Sequence, residues 1–186
     1  DRKITNLTSK LKVKFSDEEH DSPSVASSYG IAAWTKDDKH VLINDRYDIW
    51  QISPDGSDAK MLTQGIGRRE KTSMRYLRLN PEERFVSPGD QLLLYAENED
   101  TRDTGFYRVK LDGTPENLIM DSKNFGFPTK AKDADALMFS ASRFNAFPDV
   151  WTSSTDLKSL VKVSDGDAQK AKFNWGSAEL ISYKNA

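Results

Sequence analysis

The sequence contains no cysteine, which excludes disulfides, thiolate metal sites and cysteine nucleophiles. Histidine is nearly absent too. With only His20 and His40 in the chain, a triad or an imidazole-based zinc centre has little to draw on. No apolar run approaches the ~18 residues that a membrane-crossing helix needs. The opening Asp1-Arg2-Lys3-Ile4-Thr5 lacks the apolar centre of a signal peptide. Nor is there charge of one sign: 27 basic against 29 acidic side chains give a net charge of −2, so neither nucleic acid nor a membrane surface is an expected partner. The Gly-x-Ser-x-Gly string of an α/β-hydrolase elbow does not occur either.

What is present is short. In a chain that is 37% hydrophobic and 30% charged over 186 residues, enough for one core or part of a larger one, the apolar stretches are strand-length. They are rich in Val, Ile, Leu, Tyr and Trp, and are separated by Asp-Gly and Pro-Asp-Gly turns. Helix is expected at most as one turn at Ala168-Gln169-Lys170-Ala171-Lys172, and Glu70 to Leu79 reads ambiguously.

The stretches repeat. The first unit has Ile31-Ala32-Ala33-Trp34, a charged turn, His40-Val41-Leu42-Ile43-Asn44, Asp48-Ile49-Trp50-Gln51-Ile52, the turn Pro54-Asp55-Gly56 and Lys60-Met61-Leu62-Thr63. The second has Leu92-Leu93-Leu94-Tyr95-Ala96, Gly105-Phe106-Tyr107-Arg108-Val109, Asp112-Gly113 and Glu116-Asn117-Leu118-Ile119. The third has Ala136-Leu137-Met138-Phe139-Ser140, Asp149-Val150-Trp151-Thr152-Ser153, a turn near Thr155-Asp156 and Ser159-Leu160-Val161-Lys162-Val163. Trp50 to Tyr107 is 57 residues and Tyr107 to Trp151 is 44, bracketing the ~40–50 of a four-stranded propeller blade.

This grammar implies an all-β fold, a β-propeller fragment of about three to four four-stranded antiparallel blades. Blade-like units fall at about 25–65, 85–121 and 128–164, with 165–186 starting a further blade or a junction. The segments around Ile49, Phe106 and Val150 become equivalent strands, with the recurrent aromatic filling space between blades. A chain that starts without Met and stops just past a strand-like segment reads as a cut piece, and its open edges would favour self-association.

Tyr47-Asp48-Ile49-Trp50 followed by Pro54-Asp55-Gly56 and Leu62-Thr63 resembles a TolB-like blade. More specifically, Tyr29-Gly30-Ile31-Ala32-Ala33-Trp34, Val41 to Trp50, Thr104-Gly105-Phe106-Tyr107 and Phe173 to Leu180 resemble the propeller of bacterial prolyl oligopeptidase family serine peptidases. The resemblance implies a parent that cleaves short peptides near proline or a free terminus, in the periplasm or outside the cell. Its catalytic residues would lie in an α/β-hydrolase domain of the same parent chain, beyond residue 186, and no cofactor is implied. This chain would then filter and orient peptide substrates.

Local chemistry reads mostly as scaffold. Ser57 and Ser177 follow glycines but lack the second glycine of an elbow. His20 lies in the acidic stretch Asp17-Glu18-Glu19-His20-Asp21 and His40 begins a strand; neither has the spaced partners of a metal site, so no metal is expected. Gly65-Ile66-Gly67-Arg68-Arg69-Glu70 starts like a dinucleotide fingerprint without its context and reads as a loop. Glu97 to Asp103 lacks the central glycine of a calcium loop and reads as a hairpin tip. Asn6-Leu7-Thr8 matches a glycosylation acceptor, a pattern that arises often by accident.

One constellation offers binding chemistry. Arg46, Arg102 and Arg143 each precede an aromatic strand, and their donor forks suit the charged terminus of a peptide. Local pairing with Asp45, Asp48, Asp103 or Asp149 is the competing reading. Three functions follow: a non-catalytic propeller segment of a serine peptidase, a free-standing interaction propeller, and a glycoside-cleaving propeller using carboxylates such as Asp45 and Asp48.

Overall fold

The computed structural model describes residues 4–185, the side chain of Phe127 excepted. It is built of three four-stranded sheets in which strands consecutive in sequence are neighbours. The first contains β1 (Ile31–Trp34), β2 (Val41–Asn44), β3 (Ile49–Ile52) and β4 (Ala59–Met61). The second contains β5 (Thr72–Leu77), β6 (Leu92–Asn98), β7 (Thr104–Val109) and β8 (Glu116–Asp121). The third contains β9 (Asn124–Lys130), β10 (Leu137–Arg143), β11 (Ala146–Ser153) and β12 (Val161–Lys162). Every sheet is an up-and-down meander, the arrangement of a propeller blade.

Ile49, Phe106 and Val150 all lie in third strands. Their aromatic neighbours occupy matching rungs, with Trp50 opposite Ile43, Tyr107 opposite Leu94 and Trp151 opposite Phe139. The all-β expectation therefore holds strand by strand at its most informative position.

The chain divides into two compact units, Asp1–Met120 and Asp121–Ala186. In the first, Leu42, Ile49 and Leu62 of the first sheet form one buried cluster with Met74, Leu92, Leu94, Ala96, Tyr107 and Val109 of the second, and with Val86 from the β5–β6 connection. Because side chains alternate across a strand, Phe106 points to the other face of its sheet, where it meets Tyr95 edge to face at 6.2 Å and is fully buried. A sheet apolar on both faces suits stacking. Tyr107 fills space between sheets as expected, whereas Trp50 packs on Phe15, 5.9 Å away, and sends its indole N–H to Asp45.

One expectation is corrected and one ambiguous stretch is resolved. Gly65 to Glu70 is not a plain loop: Ile66–Glu70 forms a helical turn, α1, entered through the left-handed Gly65. The ambiguous stretch that follows is strand β5, in which Thr72 and Met74 are buried and Ser73 and Arg75 less so. The turn at Ala168–Lys172 is found as a 3-10 stretch, Gly166–Lys172.

In the second unit, Phe125 and Phe139 meet at 5.7 Å beside buried Leu137, Ala141 and Leu157. Residues 174–185 carry no regular secondary structure. Trp175 anchors their start by packing at a tilt against Phe147, 5.4 Å between ring centroids, and donating to the Phe144 carbonyl at 2.8 Å.

Candidate functional site

The chemistry concentrates at the β2–β3 hairpin of the first unit. Asp45 and Asp48 bracket this hairpin and both are fully buried. The Asp45 carboxylate accepts the backbone N–H groups of Tyr47 and Asp48, each at 2.7 Å, and the Trp50 indole at 2.9 Å. It closes its own turn, as aspartates do.

Asp48 reaches further along the chain. Thr63 donates its hydroxyl at 2.6 Å, and the backbone N–H groups of Gly67 and Arg68 donate at 3.1 and 2.9 Å. Thr63 Oγ1 in turn accepts Ile49 N–H, which fastens the outer strand to the third. The glycines of α1 thereby gain an explanation. A Cβ at position 67 would lie 2.7 Å from the Tyr47 carbonyl and 3.0 Å from the Asp48 carboxylate, so only glycine lets the backbone approach. Burial pushes the Asp48 carboxyl above the usual range, against the lowering effect of its hydrogen bonds.

The third sheet builds the same latch. Asp149 accepts the Ser164 hydroxyl at 2.7 Å and Gly166 N–H at 2.7 Å, while Val150 N–H donates to Ser164 Oγ. Its carboxyl is held below the usual range, first by Ser164 and then by Gly166. With both aspartates committed to backbone, neither Asp45 nor Asp48 is open to a sugar, and the glycosidase reading loses its acid and base.

Outside this core lies a charged layer. Arg46 donates to Glu19 at 2.6 Å and to Glu99 at 2.8 Å, and its guanidinium stands 5.0 Å from the Tyr47 ring centroid. Arg68 stands 5.2 Å from the same centroid and grips Glu18 with both terminal nitrogens, at 2.7 and 3.3 Å. The Tyr47 hydroxyl donates to Glu99. Burial, with that bond to Glu99, pushes the phenol up to about 12, which keeps it a donor at any physiological pH. Arg75, its pKa lowered by burial, holds the Asp45 and Arg46 carbonyls at 3.0 and 2.8 Å and lies over Tyr29.

The three arginines thus have different fates. Arg46, its side chain 19% exposed, binds carboxylates from distant segments and not Asp45 or Asp48. Arg102 adopts a left-handed backbone at the β6–β7 tip and approaches Glu97 at 3.4 Å. Arg143 ends β10 and is exposed, acting through its charge on Asp121. Each sits in or beside the hairpin between second and third strands. Arg68, which completes the cluster around Tyr47, carries no motif of its own. Its partner Glu18 is 50 residues away, so only a tertiary structure could pair them.

Remaining motifs are scaffold. His20 Nε2 lies 2.8 Å from the Ser24 carbonyl and bonds to no carboxylate of its acidic stretch. Ser57 caps a turn on Asp55, whose carboxyl the serine bonds lower to about 2. Asn98 folds the β6–β7 tip by accepting Asp100 and Thr101 N–H groups. Asn6 does the same for Thr8. At the far end of the second sheet, Gln91, Arg108, Lys110, Gly113, Thr114 and Glu116 line a cleft of about 250 Å³, smaller than ordinary small-molecule sites. Among the described residues there is no group of three acidic or histidine side chains placed to hold a metal.

No family model matches this chain, and no curated protein matches it. Among solved structures, a TolB candidate from Agrobacterium tumefaciens is similar at a TM-score of 0.35 and 13% identity over 76% of this chain. The chain spans 64% of that protein's length. A likeness of this size adds nothing to the strand order, in which each sheet is the four-stranded meander of a propeller-type blade.

Proposed function

We propose that this chain is a non-catalytic, propeller-type domain that binds peptide or protein segments at the hairpin end of its sheets. The supporting observation is the Tyr47 cluster, where two guanidiniums share one aromatic ring and each engages a carboxylate from another part of the chain. Arginine stays protonated and presents a fixed donor fork, which suits recognition better than proton transfer.

The finer reading is that the domain restricts and orients peptides for an α/β-hydrolase domain of a prolyl oligopeptidase family parent. It rests on the resemblance of Asp45 to Trp50 and Asn174 to Leu180. An array of short peptides incubated with the purified chain tests the broader proposal: a subset should be retained and none cleaved. Retention of none would sink the binding role, and turnover would sink the non-catalytic one. A Gly-x-Ser-x-Gly elbow encoded downstream would support the finer reading, while further blades alone would leave an interaction propeller.

A further inference from the structure

The segment that covers the arginines is itself informative. Residues 15–29 fold back as a strap, closed by Asp17 N–H to the Ser27 carbonyl at 2.8 Å and Tyr29 N–H to the Phe15 carbonyl at 3.0 Å. The strap crosses the β2–β3 hairpin, with Phe15 on Trp50. At its tip, Glu18 presents two groups at once. Its carboxylate lies in the Arg68 fork, and its backbone N–H donates to the Tyr29 hydroxyl at 2.8 Å. The next residue, Glu19, gives its carboxylate to Arg46.

We infer that Glu18 and Glu19 are an internal pseudo-ligand, and that Arg68 and Arg46, set against Tyr47, form a binding site for acidic peptides which the strap holds closed. This inference rests on the peptide-binding proposal above and names its substrate class. Three observations carry it. The recognition is of adjacent carboxylates, because the neighbouring residues Glu18 and Glu19 are each taken by a separate guanidinium, Glu18 in the fork of Arg68 and Glu19 by Arg46. The strap's hold is uneven: Glu19 is 69% exposed, whereas the Glu18 and Arg68 side chains are 21% and 35% exposed, so the Glu19 pair is the easier one for a competing carboxylate to displace. Finally, the guanidiniums have partners outside the strap: Arg46 also binds Glu99, Arg68 also lies 3.6 Å from Asp45, and both stand against Tyr47. Arg68 Nε is also buried without a partner, leaving donor capacity that Glu18 does not use.

The test compares the parent chain with the doubly substituted Glu18→Gln/Glu19→Gln chain, using fluorescein-labelled, C-terminally amidated tetraglutamate as the probe in a fluorescence anisotropy titration. The open variant should bind about tenfold more tightly than the parent, and adding Arg68→Gln should return affinity to the parent level or below. Labelled tetraglutamine should not bind; tetraglycine with a free carboxylate distinguishes recognition of a chain terminus from recognition of a glutamate side chain. Equal affinity of parent and open variant, or a gain that survives Arg68→Gln, would overturn the inference. Hydrogen exchange on the parent chain gives an independent readout, in which saturating tetraglutamate should increase exchange over residues 15–29. No change there on binding would also overturn it. Peptides from the array that bind regardless of Arg68→Gln would remove this site while leaving the general binding role intact.

Discussion

The first and third sheets carry the same latch with opposite electrostatics. In both, the aspartate two residues before the aromatic of the third strand takes a hydroxyl fifteen residues on and a glycine N–H beyond it. Yet burial raises the Asp48 carboxyl, whereas hydrogen bonds lower that of Asp149. Hydrogen-bond geometry is nearly conserved between them, so desolvation and the sign of the neighbouring charge decide the direction. Asp48 lies beneath α1 and next to buried Asp45; Asp149 lies beneath its own loop with Lys162 at 3.3 Å. The second sheet dispenses with the latch. Gly105 stands where the others hold aspartate, and β8 runs on to Asp121 across the place a side chain would occupy.

The largest effect should come from forcing a side chain into that unlatched position. In Gly105→Ala the added Cβ would sit 1.9 Å from the Ile119 carbonyl oxygen. The outer strand must move, and urea denaturation should show a loss of about 4 kcal/mol or more. Next comes Asp48→Ala, which strands a hydroxyl and two backbone donors. A loss of about 3 kcal/mol or more is expected, because three donors lose their acceptor and each buried donor left unsatisfied costs about 1–3 kcal/mol; Asp149→Ala should cost clearly less in the same assay. Thr63→Val keeps the shape of the threonine but leaves Asp48 and Ile49 N–H each short of a partner, at about 1–3 kcal/mol.

The smallest effect is in pH dependence, where the two latches should diverge. A carboxyl raised in the fold favours its neutral form, so Asp48 adds stability at low pH that is lost as pH rises through its folded pKa. A lowered carboxyl does the reverse. Asp149 adds stability above its unfolded value of 3.8, lost as pH falls through its folded pKa. In thermal melts at pH 6, 5, 4 and 3, the Asp48→Asn chain should lack the parent's gain on mild acidification. The Asp149→Asn chain should instead lack part of the loss below pH 4. Identical profiles for the two variants would erase the distinction.

Third strands were legible because three signals coincide: an aromatic, a turn after it that is Asp-Gly in the first two units and Thr155-Asp156 in the third, and a hydrophobic second strand. First strands were harder to read. β5 alternates properly, but Arg75 is half-hidden within it and the helical turn before it blurs its start. β9 contains Gly126 and Pro128, which read as breakers, yet it lies at the edge of its sheet, where proline is tolerated. Of the cluster around Tyr47, Arg46 was visible from its place in the repeat. Arg68, Glu18 and Tyr29 were not, since nothing local marks contacts made across half the first unit.

The central claim is that one structural unit recurs, fastened in the first and third sheets by an aspartate that binds backbone beyond the outer strand. Amide resonances of Gly67, Arg68 and Gly166, followed by NMR hydrogen exchange, test it most directly. Asp48→Asn should shift and deprotect Gly67 and Arg68 while leaving Gly166 unchanged, and Asp149→Asn should do the opposite. If neither substitution moves its own glycine, or either moves both, the latches are not the equivalent elements described.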